Sequence, residues 1–454
     1  MTDKKDLQGQ YLEKLDCLIT AAKKAGADSC DAVIYSGQSE SVSWRLGKLE
    51  DVERSESADL GLRVFMGKKQ AIVSSSDIRN DIFDQLVARA IDMAKNAPED
   101  PYAGLADPEL LALSAGDIPE LDLYDDTEKS PAELQELAKT IEDVARQTPG
   151  ITNSEGASAG SSNGLIATAN SNGFRGSYRS SHFSLSVSVI AGQDAAMERD
   201  YAYASKRYFS DLQDPESLGQ EAAEKALRRL GPRKAKTCKV PVIFDPRVSR
   251  TLLGHMAGAI NGQSIARGTS FLKDQMGQQI FSKGIHIIDD PHMSRGPSSK
   301  PFDGEGCRNG RLDIIEDGIL KCWIMDSASA RQLGLISNGR ASRGTSSPPS
   351  PASTNLYMAQ GDLSPNSLMA DIKSGFYVTD LIGMGVNGIT GDYSRGAGGF
   401  WIEDGKITYP VNEITIAGNL KDMFLNMTAA DDLDMKYGTD APTVRIDGMM
   451  IAGA

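Results

Sequence analysis

Residues 240–282 have the sequence VPVIFDPRVSRTLLGHMAGAINGQSIARGTSFLKDQMGQQIFS. The run VPVIFD (240–245) is typical of a strand, and a helix-like segment with one histidine, His255, follows it. Zinc on a helix needs at least two ligands on one face, normally with an acid beside them to activate water. Met256 follows the histidine and Ala259 stands one turn on, so this segment predicts the frame of a metal site without its ligands.

The apolar stripe around the histidine favours a structural role for it. His255 shares a helix face with Val248, Leu252 and Ala259, which are all apolar. A lone histidine on such a face is more often a hydrogen-bonded core residue than a ligand, because one imidazole rarely suffices for zinc. We therefore expect no metal ligand and no catalytic residue on the helix around Gly254, His255 and Ala259.

Composition and charge limit the classes of partner. The chain has 454 residues, enough for two or three domains, with 40% hydrophobic and 24% charged residues. It carries 48 basic and 62 acidic residues, a net charge of −14. This balance argues against sequence-independent nucleic-acid binding and against docking on anionic membranes, both of which depend on basic clusters. Proteins, peptides or small molecules are the expected partners.

Hydropathy and cysteine usage predict a cytoplasmic protein. No run approaches 18 consecutive apolar residues, and the first residues lack the apolar core of a signal peptide. The cysteines are odd in number and have no close pair, which is typical of free thiols in a reducing compartment. They are Cys17, Cys30, Cys238, Cys307 and Cys322.

Periodicity and turn residues predict an α+β protein of two domains. An N-terminal α/β domain with an antiparallel sheet and helices covers 1–231, with a linker or lid over 97–130 that is rich in Pro, Asp, Ala and Gly. A C-terminal, mainly-β domain covers 232–454. Helical spacing predicts helices over 8–25, about 77–96, 131–147 and 215–230.

Turn signals predict several hairpins. GKK (67–69) separates two strand-like runs, and Asn-Gly pairs at 163–164 and 172–173 predict turns of an antiparallel meander. The segments DIIEDGIL (313–320) and WIEDGKI (401–407) each predict a strand, an Asp-Gly turn and a second strand.

A search for catalytic motifs finds no complete constellation. There is no G-x-S-x-G, no P-loop and no cysteine with a histidine at a family spacing. Residues 383–388, GMGVNG, match G-x-G-x-x-G, but no helical period follows to hold a pyrophosphate. Tight turns or the flexible rim of a groove explain these glycines better. Asp303 and Glu305 lie in a glycine-flanked loop, DGEG, which suits either a turn or the lining of a site.

Several long segments resemble the TldD/PmbA family over essentially the whole chain. The N-terminal segment LEDVERSESADLGLRVFMGKKQAIVSSSD (49–77) resembles that family's first domain. The C-terminal resemblance rests on RGTSFLKDQMGQQIFSKG (267–284), FDGEGCRNGRLDIIEDGILKCWIMDSASARQLG (302–334), TNLYMAQGDLS (354–364) and GAGGFWIEDGKITYPVNEITIAGNL (396–420).

The resemblance points to one branch of that family. The TldD branch has a zinc-binding H-E-x-x-x-H on the helix before the GTS segment and a cysteine ligand near the C-terminus, and the PmbA branch, also called TldE, lacks both. This chain has LLGHMAGAINGQS (252–264) at that helix, and Cys322 is its last cysteine. Both parts of the metal site are absent, which resembles PmbA/TldE.

The resemblance implies a subunit without zinc that pairs with a zinc-binding TldD-type subunit. Such complexes cleave short or unfolded peptides in a closed chamber, including leader peptides of modified antibacterial peptides and antitoxin fragments. Zinc is expected in the partner and no cofactor in this chain. Asp303, Glu305, Asn387 and Gly388 are our candidates for residues that line the peptide chamber, since a glycine-rich rim holds a peptide through main-chain hydrogen bonds.

Two other functions stay open from the sequence. The chain is alternatively a self-standing hydrolase with an unrecognised site around Glu305 or His255. The second alternative is a peptide-binding homodimer without catalysis. A homodimer is also an option for the zinc-free subunit when its partner is absent. Zinc content, peptide cleavage and co-purification with a TldD-type chain discriminate among these functions.

Overall fold

The computed structural model describes residues 4–453 and has the predicted α+β fold. Helices flank an antiparallel sheet in the N-terminal half, and strands dominate the C-terminal half. The helices are α1 (Lys4–Lys24), α2 (Phe83–Asn96), α3 (Pro131–Gln147), α4 (Pro215–Arg228), α5 (Pro246–Ala259), α6 (Gly262–Ala266), α7 (Ser327–Leu333), α8 (Pro365–Met369) and α9 (Leu420–Leu425).

One six-stranded antiparallel sheet organises the N-terminal half. Its strand order is β3-β2-β1-β4-β5-β6. Strands β1, β2, β4 and β5 have 17 to 20 residues, far beyond the usual length of about 5–6, so one sheet spans the whole half. The strands are β1 (Ser29–Arg45), β2 (Lys48–Met66), β3 (Lys69–Ser75), β4 (Ile151–Asn170), β5 (Arg175–Ala191) and β6 (Glu198–Lys206).

Side chains alternate along the strands of this sheet, so one face of the sheet is covered by helices and the other face points toward the C-terminal half. Ala32 and Ile34 of β1 pack in one apolar cluster with α1 and α2, and Val42 of the same strand packs in a second cluster with α3 and α4. These even-numbered positions point to one side, since successive side chains of a strand alternate. Asp31 and Tyr35 therefore point to the opposite side.

Local hydrogen bonds explain where the predicted helices begin. Ser130 and Glu133 form a capping box at the start of α3, and the Asp214 carboxylate caps α4. The helix predicted from about 77 begins later, at Phe83. Residues 77–79 are not helical, and Asn80–Ile82 form a 3-10 turn before it; the Asp77 carboxylate accepts the Arg79 N–H at 3.0 Å, a side-chain bond that competes with helix formation.

The predicted turns are confirmed except for one. The turns at 67–68 and 172–173 and both Asp-Gly hairpins are present. The turn predicted at 163–164 is wrong, because β4 runs through it without a break. Gly164 pairs with Gly37 of β1 and Ser180 of β5, so neighbours on both sides satisfy the backbone there and outweigh the local Asn-Gly signal.

The C-terminal half contains a ring of strands and a second sheet. The ring has the strand order β16-β15-β14-β7-β19, and it closes because β16 also pairs with β19. Strand β17 pairs with β19 at the edge of the ring. The second sheet has the order β10-β9-β8-β13-β18. A separate pair is formed by β11 and β12, which are antiparallel. The strands of this half are β7 (Cys238–Phe244), β8 (Ile287–Asp289), β9 (Leu312–Glu316), β10 (Ile319–Leu320), β11 (Ala341–Ser342), β12 (Ser350–Pro351), β13 (Leu356–Met358), β14 (Ser374–Ile382), β15 (Asp392–Glu403), β16 (Lys406–Asn419), β17 (Met427–Ala429), β18 (Thr439–Asp440) and β19 (Val444–Ala452).

Helix α5 connects the ring to the second sheet. It follows β7, which pairs with β14 in parallel and with β19 antiparallel. The Asp245 carboxylate caps the helix by accepting the Arg247 N–H, and Pro246 occupies the first turn. The helix contacts β13, β14 and β18, and Leu252, Leu253 and Met256 are buried in the largest apolar core of the chain.

Residues 97–130 connect α2 to α3 and pack against both halves. The Ala112 N–H donates to Gly306 O at 2.9 Å, and the Arg308 N–H donates to Leu110 O at 2.8 Å. The Arg331 guanidinium binds the carbonyl of Tyr102 at 3.0 Å. The segment therefore holds the loop that contains Asp303 and Glu305. Among the helices of residues 4–453, none has the length and apolar character needed to cross a membrane.

Replacement of Gly61 by alanine is expected to destabilise the protein by roughly 1–3 kcal/mol. A Cβ at this position of β2 would lie 2.3 Å from the backbone oxygen of Thr345 in the C-terminal half. Urea unfolding measures the effect. Gly164→Ala is the control, since its Cβ would meet its nearest atom at an ordinary 3.7 Å. Equal unfolding free energies for the two variants would contradict close packing of β2 on the Thr345 loop.

Candidate functional site

The helix that corresponds to the predicted metal frame presents one potential ligand. His255 is half-buried on α5, while Met256 and Ala259 are buried in the core. Gly254 and Gly258 are exposed, and within residues 4–453 a Cβ built on either meets no atom within 4 Å apart from its chain neighbours and the backbone of its own helix. This face of the helix is open.

Residues near His255 do not fit zinc. Its ring packs edge-on against Tyr393, with centroids 6.1 Å apart. Within residues 4–453, the one group of three potential metal ligands is Asp303, Glu305 and Cys307, and it does not include His255. Zinc in proteins takes three or four such ligands, so α5 offers no zinc site.

The imidazole differs from the expected core histidine in one respect. Its Nε2 atom is buried and has no hydrogen-bond partner within residues 4–453. Burial lowers the pKa of His255, and the positive charge of Arg395 lowers it further. The ring is thus neutral near pH 7, and its polar edge is unused.

Asp303 holds its own loop together. One carboxylate oxygen accepts the N–H groups of Glu305 and Cys307, both at 2.9 Å, and the other accepts the Ala341 N–H at 3.1 Å. Burial nevertheless raises the pKa of Asp303 to about 6, because desolvation outweighs these bonds. Burial also raises the pKa of the Cys307 thiol, so the thiolate that a metal requires is disfavoured. We assign this group a structural role.

Glu305 lies at the start of α7, beneath the N-terminal sheet. Its Oε2 atom accepts the Ser327 N–H at 2.9 Å. Burial, followed by the charge of Asp303, raises the pKa of Glu305 to about 7, and Arg63 opposes this shift. A carboxyl group with such a pKa holds a proton over much of the physiological range.

A buried ion network joins the two halves above this loop. Asp31 of β1 and Arg63 of β2 are cross-strand partners, and the Arg63 Nε donates to Asp31 at 3.0 Å. The other oxygen of Asp31 pairs with Arg343 of the C-terminal half. The Tyr35 hydroxyl donates to the Arg343 carbonyl at 2.5 Å. The network is almost completely buried, so it fixes how the halves meet.

The four candidates for a peptide chamber lie in two different places. Asp303 and Glu305 are buried, 3% and 6% exposed, beneath the N-terminal sheet. Asn387 and Gly388 are exposed in the loop between β14 and β15, where the Gly388 carbonyl accepts the Phe271 N–H. Strand β15 follows this loop, so the expectation of turns instead of a dinucleotide-binding helix is confirmed.

Sequence reasoning missed the residues that form the polar clusters. Asp31, Arg63 and Arg343 join the two halves, the Tyr393 ring packs against His255, and the charge of Arg395 lowers the pKa of His255. The signal in the sequence was the alternation of side chains along a strand, because Asp31 and Arg63 each stand at an inward position of an apolar strand. Alternation does not say which distant residue meets them.

Comparisons with known proteins agree with this architecture. Profiles of PmbA/TldA metallopeptidases match in three parts: domain 1 over 30–94, the central domain over 124–230 and the C-terminal domain over 237–453. Metalloprotease PmbA of Escherichia coli O157:H7 is 42% identical over 450 residues, which cover 99% of this chain and 97% of that protein.

Solved structures show the same fold. A candidate modulator of DNA gyrase from Bacteroides thetaiotaomicron has a TM-score of 0.90 and 27% identity, with 100% of both chains covered. TldE from Thermococcus kodakarensis has a TM-score of 0.84 and 20% identity, covering 97% of this chain and 100% of that one. The long sheet joined to a ring of strands is thus a TldE-like fold. The chain belongs to the PmbA/TldA metallopeptidase family. This is the TldD/PmbA family that its sequence segments resemble.

Asp31→Asn is expected to destabilise the protein by roughly 3–5 kcal/mol, because it leaves two buried arginines without their anion. Calorimetric unfolding measures the loss. Asp274→Asn is the matched control: this aspartate is exposed and pairs with exposed Lys273, so the expected change is within about 0.5 kcal/mol. An Asp31 variant as stable as the control would contradict the network's role.

Glu305→Gln is expected to flatten the pH dependence of stability between about pH 4.5 and 7. The folded pKa of Glu305 is raised from 4.5 to about 7, so the folded chain keeps a proton that the unfolded chain releases. Wild-type stability therefore falls as pH rises through this window, by roughly 1–3 kcal/mol. Urea midpoints at pH 5 and 7.5 test this, and an unchanged slope in the variant would refute it.

Proposed function

We propose that this chain is the subunit without zinc of a heteromeric TldD/TldE-type metallopeptidase. The partner supplies the zinc and the cleavage chemistry. This chain supplies part of the chamber wall and stabilises the partner. The substrates are short or unfolded peptides, of the kind represented by leader peptides of modified antibacterial peptides and by antitoxin fragments.

Helix α5 is the observation that carries the proposal. It occupies the place of the family's metal helix, yet Met256 and Ala259 are core residues there and His255 is the one potential ligand. A helix without charged ligands packs its apolar side chains with no desolvation penalty. The scaffold of a metallopeptidase is thus retained while its metal chemistry is not supported.

The loop between β14 and β15 supports a role in contact with peptides or a partner. Ile382, Met384 and Ile389 are 64%, 90% and 62% exposed. Large apolar side chains that are exposed together mark interaction surfaces. Asn387 and Gly388 lie in the same loop, so these two of the four candidates remain our proposed chamber residues.

Charge and cysteine usage support the remaining parts of the proposal. The net charge of −14 disfavours nucleic acid and anionic membranes as partners. The cysteines at the five positions are free thiols, which favours the cytoplasm. In the absence of the partner, a homodimer stays an option for this chain.

The test is zinc content and peptide cleavage of the purified chain, with and without a co-expressed TldD-type partner. The chain alone is expected to hold well below one zinc per chain and to leave an unstructured peptide intact. The complex is expected to hold one zinc per heterodimer and to lose cleavage when a chelator is added. Metal analysis by mass spectrometry and a fluorogenic peptide provide the two readouts.

A variant of this chain separates a structural from a ligand role for the histidine. His255→Gln, in complex with the wild-type partner, is expected to leave the zinc content unchanged. Stoichiometric zinc and chelator-sensitive cleavage by this chain alone would refute the proposal and favour a self-standing hydrolase. Failure to pair with any TldD-type chain would favour a peptide-binding homodimer.

A further inference from the structure

A cavity of about 380 Å³ lies where the two halves meet at the start of α5. Strand β6 and helix α4 of the N-terminal half contribute to its wall, and so do α5, β14 and the segment 432–441 of the C-terminal half. Its lining includes the exposed side chains of Tyr201, Asp434 and Lys436. The volume falls within the ~300–1,000 Å³ that is typical of small-molecule sites, so there is room for a small ligand. We call this the β6–α5 cavity.

Four planar side chains form a row in the wall of this cavity. The rings of Tyr201 and Tyr203 are stacked with centroids 6.1 Å apart, and the rings of Tyr203 and Tyr437 are 5.3 Å apart. The guanidinium of Arg250 lies over the Tyr437 ring, 4.4 Å from its centroid. All four side chains line the cavity. Stacking on Tyr437 therefore orients the guanidinium within the wall.

Arg250 is the cation of this wall that lacks a carboxylate partner. Within residues 4–453, its side chain makes one hydrogen bond, from Nε to the Arg247 carbonyl at 3.2 Å, and no ion pair. Both Nη atoms are without a partner there and retain accessible surface. The other cations of the wall are in ion pairs, which are Arg247 with Asp200, Lys225 with Glu221 and Lys436 with Asp434. The Nη atoms of Arg250 are thus free to donate to an acceptor from outside the chain.

The carboxylates of the wall already have hydrogen-bond donors from the chain. Asp440 accepts three backbone N–H groups, and Asp432 accepts both the N–H and the hydroxyl of Thr443. Asp245 accepts the Tyr377 hydroxyl at 2.9 Å and also caps α5. The groups left for a ligand are therefore donors, which favours a ligand that accepts hydrogen bonds.

The charge of the wall favours an anion with a single charge. The acids that line the cavity are Glu221, Asp245, Asp432, Asp434 and Asp440, and the bases are Lys225, Arg247, Arg250 and Lys436. A phosphate dianion would be repelled by this excess of acid, whereas one carboxylate matches the one guanidinium that has no partner. A carboxylate also fits the edge of a guanidinium through two parallel N–H···O bonds.

We propose that the β6–α5 cavity binds a carboxylate that stands next to an aromatic ring. The carboxylate pairs with Arg250, and the ring packs against the tyrosine row, whose outer member Tyr201 is 37% exposed. A peptide with an aromatic C-terminal residue and a free aromatic amino acid share this chemistry. The peptide source rests on the proposed function, whereas the carboxylate chemistry rests on the cavity itself.

The experiment uses the full-length chain without partner or metal, with five probes. These are N-acetyl-Ala-Phe with a free C-terminus, its C-terminal amide, N-acetyl-Ala-Ala, phenylalanine and inorganic phosphate. Proton–nitrogen spectra follow the arginine Nε–H groups, Arg250→Gln identifies the signal of Arg250, and calorimetry measures the affinities. N-acetyl-Ala-Phe is expected to shift that signal and to bind at least ~10-fold more tightly than its amide. It is expected to bind about 3-fold or more tightly than N-acetyl-Ala-Ala, which lacks the ring.

Comparison of two aromatic probes separates the possible sources of the carboxylate. Tighter binding of N-acetyl-Ala-Phe supports a peptide C-terminus, and tighter binding of phenylalanine supports a free amino acid. Equal binding of the free acid and its amide would overturn the proposal, as would phosphate binding more tightly than either acid or an Arg250 signal that no probe moves. Equal binding of N-acetyl-Ala-Phe and N-acetyl-Ala-Ala would overturn the role of the tyrosine row.

Variants test the named contacts. Arg250→Gln is expected to weaken binding of N-acetyl-Ala-Phe at least ~10-fold. Lys225→Gln is the matched control, because it removes the same charge from the same wall but from a group already paired with Glu221, and a change below about 2-fold is expected. Equal losses in the two variants would refute a specific contact with Arg250.

A second variant decides if Arg250→Gln fails to fold. Tyr201→Ala changes an exposed residue and is expected to abolish the preference for N-acetyl-Ala-Phe over N-acetyl-Ala-Ala. A preference that persists in this variant would refute the site. Zinc content and cleavage of the complex are separate measurements, so failure here is distinguishable from failure of the proposed function.

Discussion

The pairing of Asp31 with two arginines is the interaction on which the arrangement of the molecule depends. Arg63 belongs to the same sheet as Asp31, whereas Arg343 comes from the C-terminal half. All three side chains are buried, and a buried charge that loses its partner is strongly unfavourable. The ion pairs therefore favour the arrangement of the two halves that gives both arginines their carboxylate. The Thr345 loop and the Asp303 loop are placed by that contact.

Much of the fold follows from local patterns, but the network does not. The capped start of α3 at Ser130 and the Asp-Gly hairpins are local features, and the sequence predicts them correctly. The Asn-Gly pair at 163–164 wrongly predicted a turn, because pairing with strands on both sides outweighs the local turn signal. Asp31 and Arg343 are 312 positions apart in the sequence, and no periodicity connects them.

The candidate site also has one part that the sequence predicts and one part that depends on long-range contacts. The sequence correctly places His255 on a helix whose buried residues are apolar except for Ser249. It does not show that Tyr393 of β15 packs against that helix, because the pairing of distant strands brings β15 there. The likeness to a metallopeptidase scaffold and the absence of metal ligands are therefore readable from residues 252–264, whereas the contact with Tyr393 is a property of the fold. The helix is mainly apolar on its inner side, and Gly254 and Gly258 are exposed on its outer side.

We propose that this chain retains the metal helix of its family without the metal. The most direct test is a crystal structure of this chain co-expressed with a TldD-type partner, with anomalous diffraction recorded above and below the zinc absorption edge. We expect one strong zinc peak at the corresponding helix of the partner and none within bonding distance of His255. A zinc peak of full occupancy at His255 would contradict it.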